Sequence, residues 1–192
     1  MRLLHAALWA LQLMLAAAPV SAAEVAGVQI PNSLSLAGAG PSLVLNGAGV
    51  REKWFFDIYV GALYLRQRSQ DVQAILAGSG PAAVLMHFLY KEVSREKITE
   101  AWETGLAANH SAAEMQVLRP QLDRFNALFV TLRAGEVVEI DYVPGQGTEV
   151  RIDGKLRGKV EGDAFFHALL QVWLGEHPVT GALKRAMLGL ER

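Results

Sequence analysis

Residues 45–65, LNGAGVREKWFFDIYVGALYL, constrain the fold of this chain more than any other stretch. Gly47-Ala48-Gly49 predicts a tight turn that presents Arg51, because glycines bend where Cβ atoms would obstruct. A bulky, strand-like run follows. Trp54, Phe56, Ile58, Val60, Ala62 and Tyr64 form one alternate set, mostly apolar. Arg51, Lys53, Phe55, Asp57, Tyr59, Gly61, Leu63 and Leu65 form the other, which mixes charge, hydroxyl and hydrocarbon. Side chains alternate across a strand, so the pattern predicts a sheet with one dry face and one that is incompletely covered or lines a cleft. The same residues also describe a buried central strand with a surface arginine at its start.

The rest of the composition narrows the class. With 192 residues, 52% hydrophobic and 19% charged, the chain suits one globular domain. It has no cysteine, which excludes disulfides, thiolate metal sites and cysteine nucleophiles. A formal charge of −1 gives no reason to expect a nucleic-acid partner. Residues 1–22 have the layout of a secretory signal: Arg2, then almost uninterrupted hydrocarbon, then Pro19-Val20-Ser21-Ala22 with small residues before a cut. The alternative, an uncleaved anchor, is disfavoured because the apolar run falls short of the ~20 residues a spanning helix needs. The expected organisation is a signal peptide over 1–22 and one domain over 23–192. The mature protein would be secreted, which in a bacterium means the periplasm, and without stable membrane insertion.

Local signals predict the remaining elements. Short strands are expected over 28–30 and 43–45, with turns at Pro31-Asn32-Ser33 and Gly38-Ala39-Gly40-Pro41. A short helix over 70–76 precedes a second apolar strand over 82–89, which carries His87. Ser94 is placed to cap a helix to about residue 109, whose stripe is Ile98, Ala101, Trp102, Gly105 and Leu106. A further helix is expected over 112–118, with Pro120 starting another. Residues 136–143, 148–152 and 155–160 read as an antiparallel meander with an Asp153-Gly154 hairpin. Asp163 is placed to cap a helix to Leu174 that is apolar nearly all round, and Thr180 to cap the last helix. Strands early and late, with helices between and after, make the class α+β.

No catalytic constellation is written in the chain. It lacks G-x-S-x-G, H-E-x-x-H and a phosphate loop. Beyond His5 in the leader, His87, His110, His167 and His177 share no metal-type spacing.

Asn46-Gly47-Ala48-Gly49-Val50-Arg51, followed by Ile58-Tyr59-Val60-Gly61-Ala62-Leu63-Tyr64-Leu65, resembles the signature of the chalcone isomerase fold family. Tyr142 to Thr148, Asp153-Gly154 and Trp173 to Pro178 resemble its bacterial, exported branch, and the likeness extends over about residues 28–190. It implies an open-faced β-sandwich, a large antiparallel sheet with a layer of helices and a ligand cleft between. The family includes plant enzymes that cyclise chalcones, non-catalytic homologues, plastid proteins that bind fatty acids, and mitochondrial relatives associated with haem. In the enzymes an arginine after the glycine turn holds the anionic substrate oxygen, and Arg51 matches it. A charged planar fork suits a phenolate or carboxylate. The enzymes' helix tyrosine and asparagine correspond to Ser94 and Ala101, and a strand threonine corresponds to Tyr59. A straight strand would separate Arg51 from Tyr59 by ~26 Å, so the two share a ligand only if the chain bends.

The resulting expectation is an exported, non-catalytic protein that binds a small apolar anion, such as a fatty acid or polyphenol, through Arg51. Tyr59 is the next contact, and Trp54, Trp102 and Phe88 are candidate walls. No cofactor is expected; a haem-binding variant would need His87, His110 or His177 to face the cleft. Three alternatives stand beside it. Arg51 could be structural, paired with Asp57 or backbone carbonyls. The protein could be an isomerase (an intramolecular lyase) using Arg51 with Tyr59, Tyr90 or Ser94. It could also be a partner-binding scaffold with a filled pocket and an apolar surface patch.

Overall fold

The computed structural model describes residues 22–36 and 42–190. The expected leader through residue 21 and the expected turn at Gly38-Ala39-Gly40-Pro41 lie outside the described residues. In chain order the elements are β1 (Ala22–Val25), β2 (Val28–Pro31), β3 (Ser33–Leu34), β4 (Leu43–Lys53), β5 (Phe56–Leu65), α1 (Val72–Leu76), β6 (Ala82–Phe88) and β7 (Glu92–Val93). They continue as α2 (Arg95–Ala107), α3 (Ala112–Ala127), β8 (Leu132–Arg133), β9 (Val137–Val143), β10 (Gly147–Ile152), β11 (Lys155–Val160), α4 (Asp163–Leu174) and α5 (Gly181–Met187). The α+β class holds. Seven strands form one antiparallel sheet in the order β11-β10-β9-β6-β5-β4-β3.

Period-2 alternation distributes the side chains of this sheet between two cores. On one face Tyr59, Leu63, Val84, Met86, Phe88, Val138, Ile140 and Tyr142 pack under the helices, against Trp102, Phe125, Phe165, Trp173 and Leu183. On the other, Val60, Ala62, Tyr64, Ala83 and Leu85 pack with Ile30 and Leu36. The β1–β2 hairpin adds its partly buried Ala23, Val25 and Val28 to this second core. Helix α4, apolar on nearly every side as its sequence indicates, is buried along most of its length and sits at the centre of the helical layer.

Three sequence expectations are corrected. Gly47 and Gly49 do not turn the chain; they lie inside β4, beneath α5. A Cβ on Gly47 would stand 2.1 Å from the Ala186 carbonyl oxygen, and one on Gly49 2.4 Å from the Ala186 Cβ. These glycines therefore admit a helix backbone rather than a bend. The reversal comes at Trp54-Phe55, with Trp54 at φ +58°, so residues 45–65 form a hairpin instead of one strand. Second, α3 runs through Pro120 without a break. Proline forfeits one helical hydrogen bond, and here it does so on an exposed face. Third, Asp163 is the first residue of α4 and not its cap: Gly162 precedes it at φ +95°, and the Asp163 carboxylate accepts the Gly145 N–H at 3.0 Å. Ser94 and Thr180 cap α2 and α5 as expected, each side chain accepting a backbone N–H of the first turn.

Candidate functional site

The β4–β5 hairpin decides the geometry of the two expected ligand residues. Arg51 and Tyr59 are direct Cα partners in the ladder and therefore share a face of the sheet. The chain bend that a shared ligand requires is present, and it is the hairpin itself. The Arg51 Cζ stands 5.7 Å from the centroid of the Tyr59 ring, a cation–π contact. No ion pair or hydrogen bond ties the Arg51 guanidinium to any described residue, Asp57 included. Asp57 faces Glu52 across the ladder instead. Arg51 is thus a half-exposed permanent cation whose donors are free, at the edge of a buried aromatic cluster.

Tyr59 is the first ring of that cluster and only 5% exposed. Its ring leans on Phe88 at 5.6 Å, and its hydroxyl accepts the Trp173 Nε1–H at 3.0 Å. Among the described residues no acceptor takes the tyrosine's own hydroxyl hydrogen. Burial raises the phenol's pKa, opposed by the Arg51 charge and the Trp173 hydrogen bond, so the group is a neutral donor at ordinary pH. From Trp173 the cluster continues edge-on to Trp102 at 5.6 Å and then to Phe125 and Phe129. The Trp102 Nε1–H is buried without a partner.

The other expected contacts divide. Phe88 and Trp102 belong to the buried cluster, whereas Trp54 is 82% exposed at the hairpin tip and forms no wall. Phe55 beside it is 99% exposed and Phe56 51%, with Tyr90 packed edge-on to Phe56 at 5.4 Å. The Ser94 hydroxyl is occupied in capping α2. Ala101, expected on the apolar stripe, is exposed, and it is its neighbour Trp102 that turns inward. Trp173, which holds Tyr59 in place, is the site residue that sequence reasoning missed. The all-round apolarity of α4 marks it as interior, but its pairing with β5 joins positions 114 residues apart.

His87 lies apart from His110 and His177. His87 pairs with Val60 and Val137, on the sheet face opposite Tyr59, while His110 bonds the Ala168 carbonyl at 3.2 Å. Among the described residues no cluster of His, Asp and Glu could hold a metal ion. Among the described residues, clefts of about 340 and 620 Å³ open on the surface, and neither of these is lined by Arg51 or Tyr59. His177 and His110 line the larger.

A family model described as chalcone isomerase-like matches residues 22–189. Among solved structures, the crystal structure of a fatty-acid binding protein of Arabidopsis thaliana is similar to this chain with a TM-score of 0.66 at 16% identity. The match covers 84% of this chain and 92% of that one. At that identity the likeness is one of fold. No curated protein matches the sequence.

Proposed function

Because this chain belongs to the chalcone isomerase-like family, we propose that it is a non-catalytic binding protein for a small, largely apolar anion such as a fatty acid or polyphenol. The observation that carries this reading is the pairing of Arg51, whose donors are free, with Tyr59, a neutral phenol with a hydrogen to give. One carboxylate or phenolate oxygen accepts from a charged fork and a second donor at once, and charge-assisted bonds of this kind are the strong ones. The aromatic cluster from Phe88 to Trp102 would meet the apolar body. That a family-fold neighbour is named as a fatty-acid binding protein supports this ligand class. Turnover is disfavoured by what stands at the helix positions: the Ser94 hydroxyl accepts the Lys97 N–H and hydrogen-bonds the Glu96 carboxylate, and Ala101 faces solvent with no donor to give an oxyanion.

The cluster is packed, so ligand entry requires Tyr59 and Phe88 to part from Trp173. Palmitate titrated into the protein should therefore change the fluorescence of Trp173, read against a Trp173→Phe control, and raise Tm saturably. Arg51→Gln should abolish both effects. A flat wild-type titration with palmitate and with polyphenols would overturn the proposal. A second reading, a partner-binding scaffold, is favoured by the bare aromatic tip of Trp54, Phe55 and Phe56. It predicts a protein whose Tm ignores these acids and whose self-association or partner capture is lost in Phe55→Ser.

Export through the leader at residues 1–22 belongs to the same proposal. N-terminal sequencing of the protein from its native compartment should begin at Ala23. A sequence beginning at Met1 would remove the export reading and leave the ligand reading intact.

A further inference from the structure

The cleft of about 340 Å³ lies at the end of β5 away from Arg51. Tyr59 and Leu65 are six residues apart on that strand, which is ~20 Å, so the cleft is separate from the Arg51–Tyr59 pair. Its volume falls in the range of small-molecule sites. Arg66 and Arg68 stand on its wall, and no acidic residue lines it. The Arg68 Nε donates to the Leu45 carbonyl at 2.9 Å, which fixes the guanidinium while leaving its terminal nitrogens without an ion pair. Arg66, which lies over the space beside Gly80, makes no ion pair or hydrogen bond to any described residue. His167 also lines the cleft, and its Nδ1 is buried without a partner. The floor is apolar: Tyr142 and Phe166, stacked on each other at 4.8 Å with a 9° tilt and each about 1% exposed, close the cleft beside Ile75.

We infer that this cleft is a second binding site, for a small organic anion with an apolar body, gripped at its charged end by Arg66 and Arg68 and seated beside His167 and the Tyr142–Phe166 stack. Two arginines with no acid among the lining residues select an anion; preorganised forks favour carboxylate or phosphate oxygens. An apolar floor of Tyr142, Phe166, Ile75 and Leu170 favours a ligand with an apolar body over a fully hydrated ion.

The test follows the His167 imidazole by NMR, assigned with His167→Gln, while the full chain is titrated in parallel with benzoate, phenyl phosphate and inorganic phosphate. Benzoate and phenyl phosphate should shift the His167 signals saturably. Arg66→Gln should weaken that binding about tenfold and Arg66→Glu should remove it; Arg66 is exposed, so neither change endangers the fold. Arg51→Gln should leave the titration unchanged. Silence of His167 toward both aromatic anions, or indifference to Arg66→Glu, would overturn the site. Inorganic phosphate binding as tightly as phenyl phosphate would overturn the ligand class, and loss of the shift in Arg51→Gln would overturn its independence from the first site.

Discussion

Tyr59 and Arg51 show how neighbouring residues acquire different vulnerabilities. Tyr59→Phe keeps the ring but leaves the Trp173 N–H buried without its acceptor. An unsatisfied buried donor costs about 1–3 kcal/mol, so Tm should fall by roughly 5 °C in a thermal melt. Arg51→Gln breaks no ion pair and should leave Tm within about 1 °C of wild type while removing ligand response. Equal losses for both variants would mean that Arg51 is structural after all. At the hairpin tip, Phe55→Ser removes a side chain that is 99% exposed, and its Tm should be unchanged. A clear drop there would show that something covers the tip in solution.

At the level of elements, the seating of α5 on β4 is the contact most easily broken by a single methyl group. Gly49→Ala places a Cβ 2.4 Å from the Ala186 Cβ. Close-packed interiors do not absorb such an intrusion, and overpacking costs about 1–3 kcal/mol or more. Ala186→Gly removes the opposing atom, so the double variant should regain much of the lost Tm despite the glycine placed in α5. If Gly49→Ala alone melts like wild type, the close approach is not a constraint in solution. Gly47 offers no such rescue, because there the obstructing atoms are the backbone of α5 itself. This is also why the turn expected at these glycines is absent. A glycine needed for local bending and a glycine needed for a helix that arrives from the far end of the chain are identical in sequence. Asp153-Gly154 is the opposite case: both residues take left-handed φ, at +49° and +70°, and the two-residue hairpin follows from them directly. The Ser94 and Thr180 caps are equally local, and they too are legible.

For the molecule as a whole, the outer face of the sheet carries a charge imbalance that should be visible in its pH dependence. Asp141 on β9 is 4% exposed, and Arg151 reaches it at 3.1 Å while also holding Glu149 at 2.9 Å. One arginine serves two carboxylates with Glu139 nearby, and burial, followed by the Glu139 charge, pushes Asp141 up to about 7. A folded pKa above the unfolded one means that the native state holds the extra proton. The stabilisation this group contributes is therefore fully present below about pH 4, falls as pH rises, and is lost through about pH 7. Asp141→Asn should raise Tm relative to wild type at about pH 8, by on the order of 5 °C, and much less at about pH 5. A gain of equal size at both pH values would show that Asp141 is ionised throughout.

The sequence alone determined the α+β class, the meander, the Ser94 and Thr180 caps, the buried α4 and the family signature that singles out Arg51 and Tyr59. Each of these rests on periodicity, on turn chemistry or on a short run of residues, and such signals act over a few positions. Only the tertiary structure decided that Arg51 lies against Tyr59, that Trp173 fastens Tyr59 from another element, and that Trp54 and Phe55 are bare while Trp102 is buried. It also drew Arg66, Arg68 and His167 around one cleft. These are contacts between residues up to 114 positions apart. They follow from which strands pair and which helix settles on which face, and hydrophobic burial, being non-directional, leaves that choice to the packing of the whole chain.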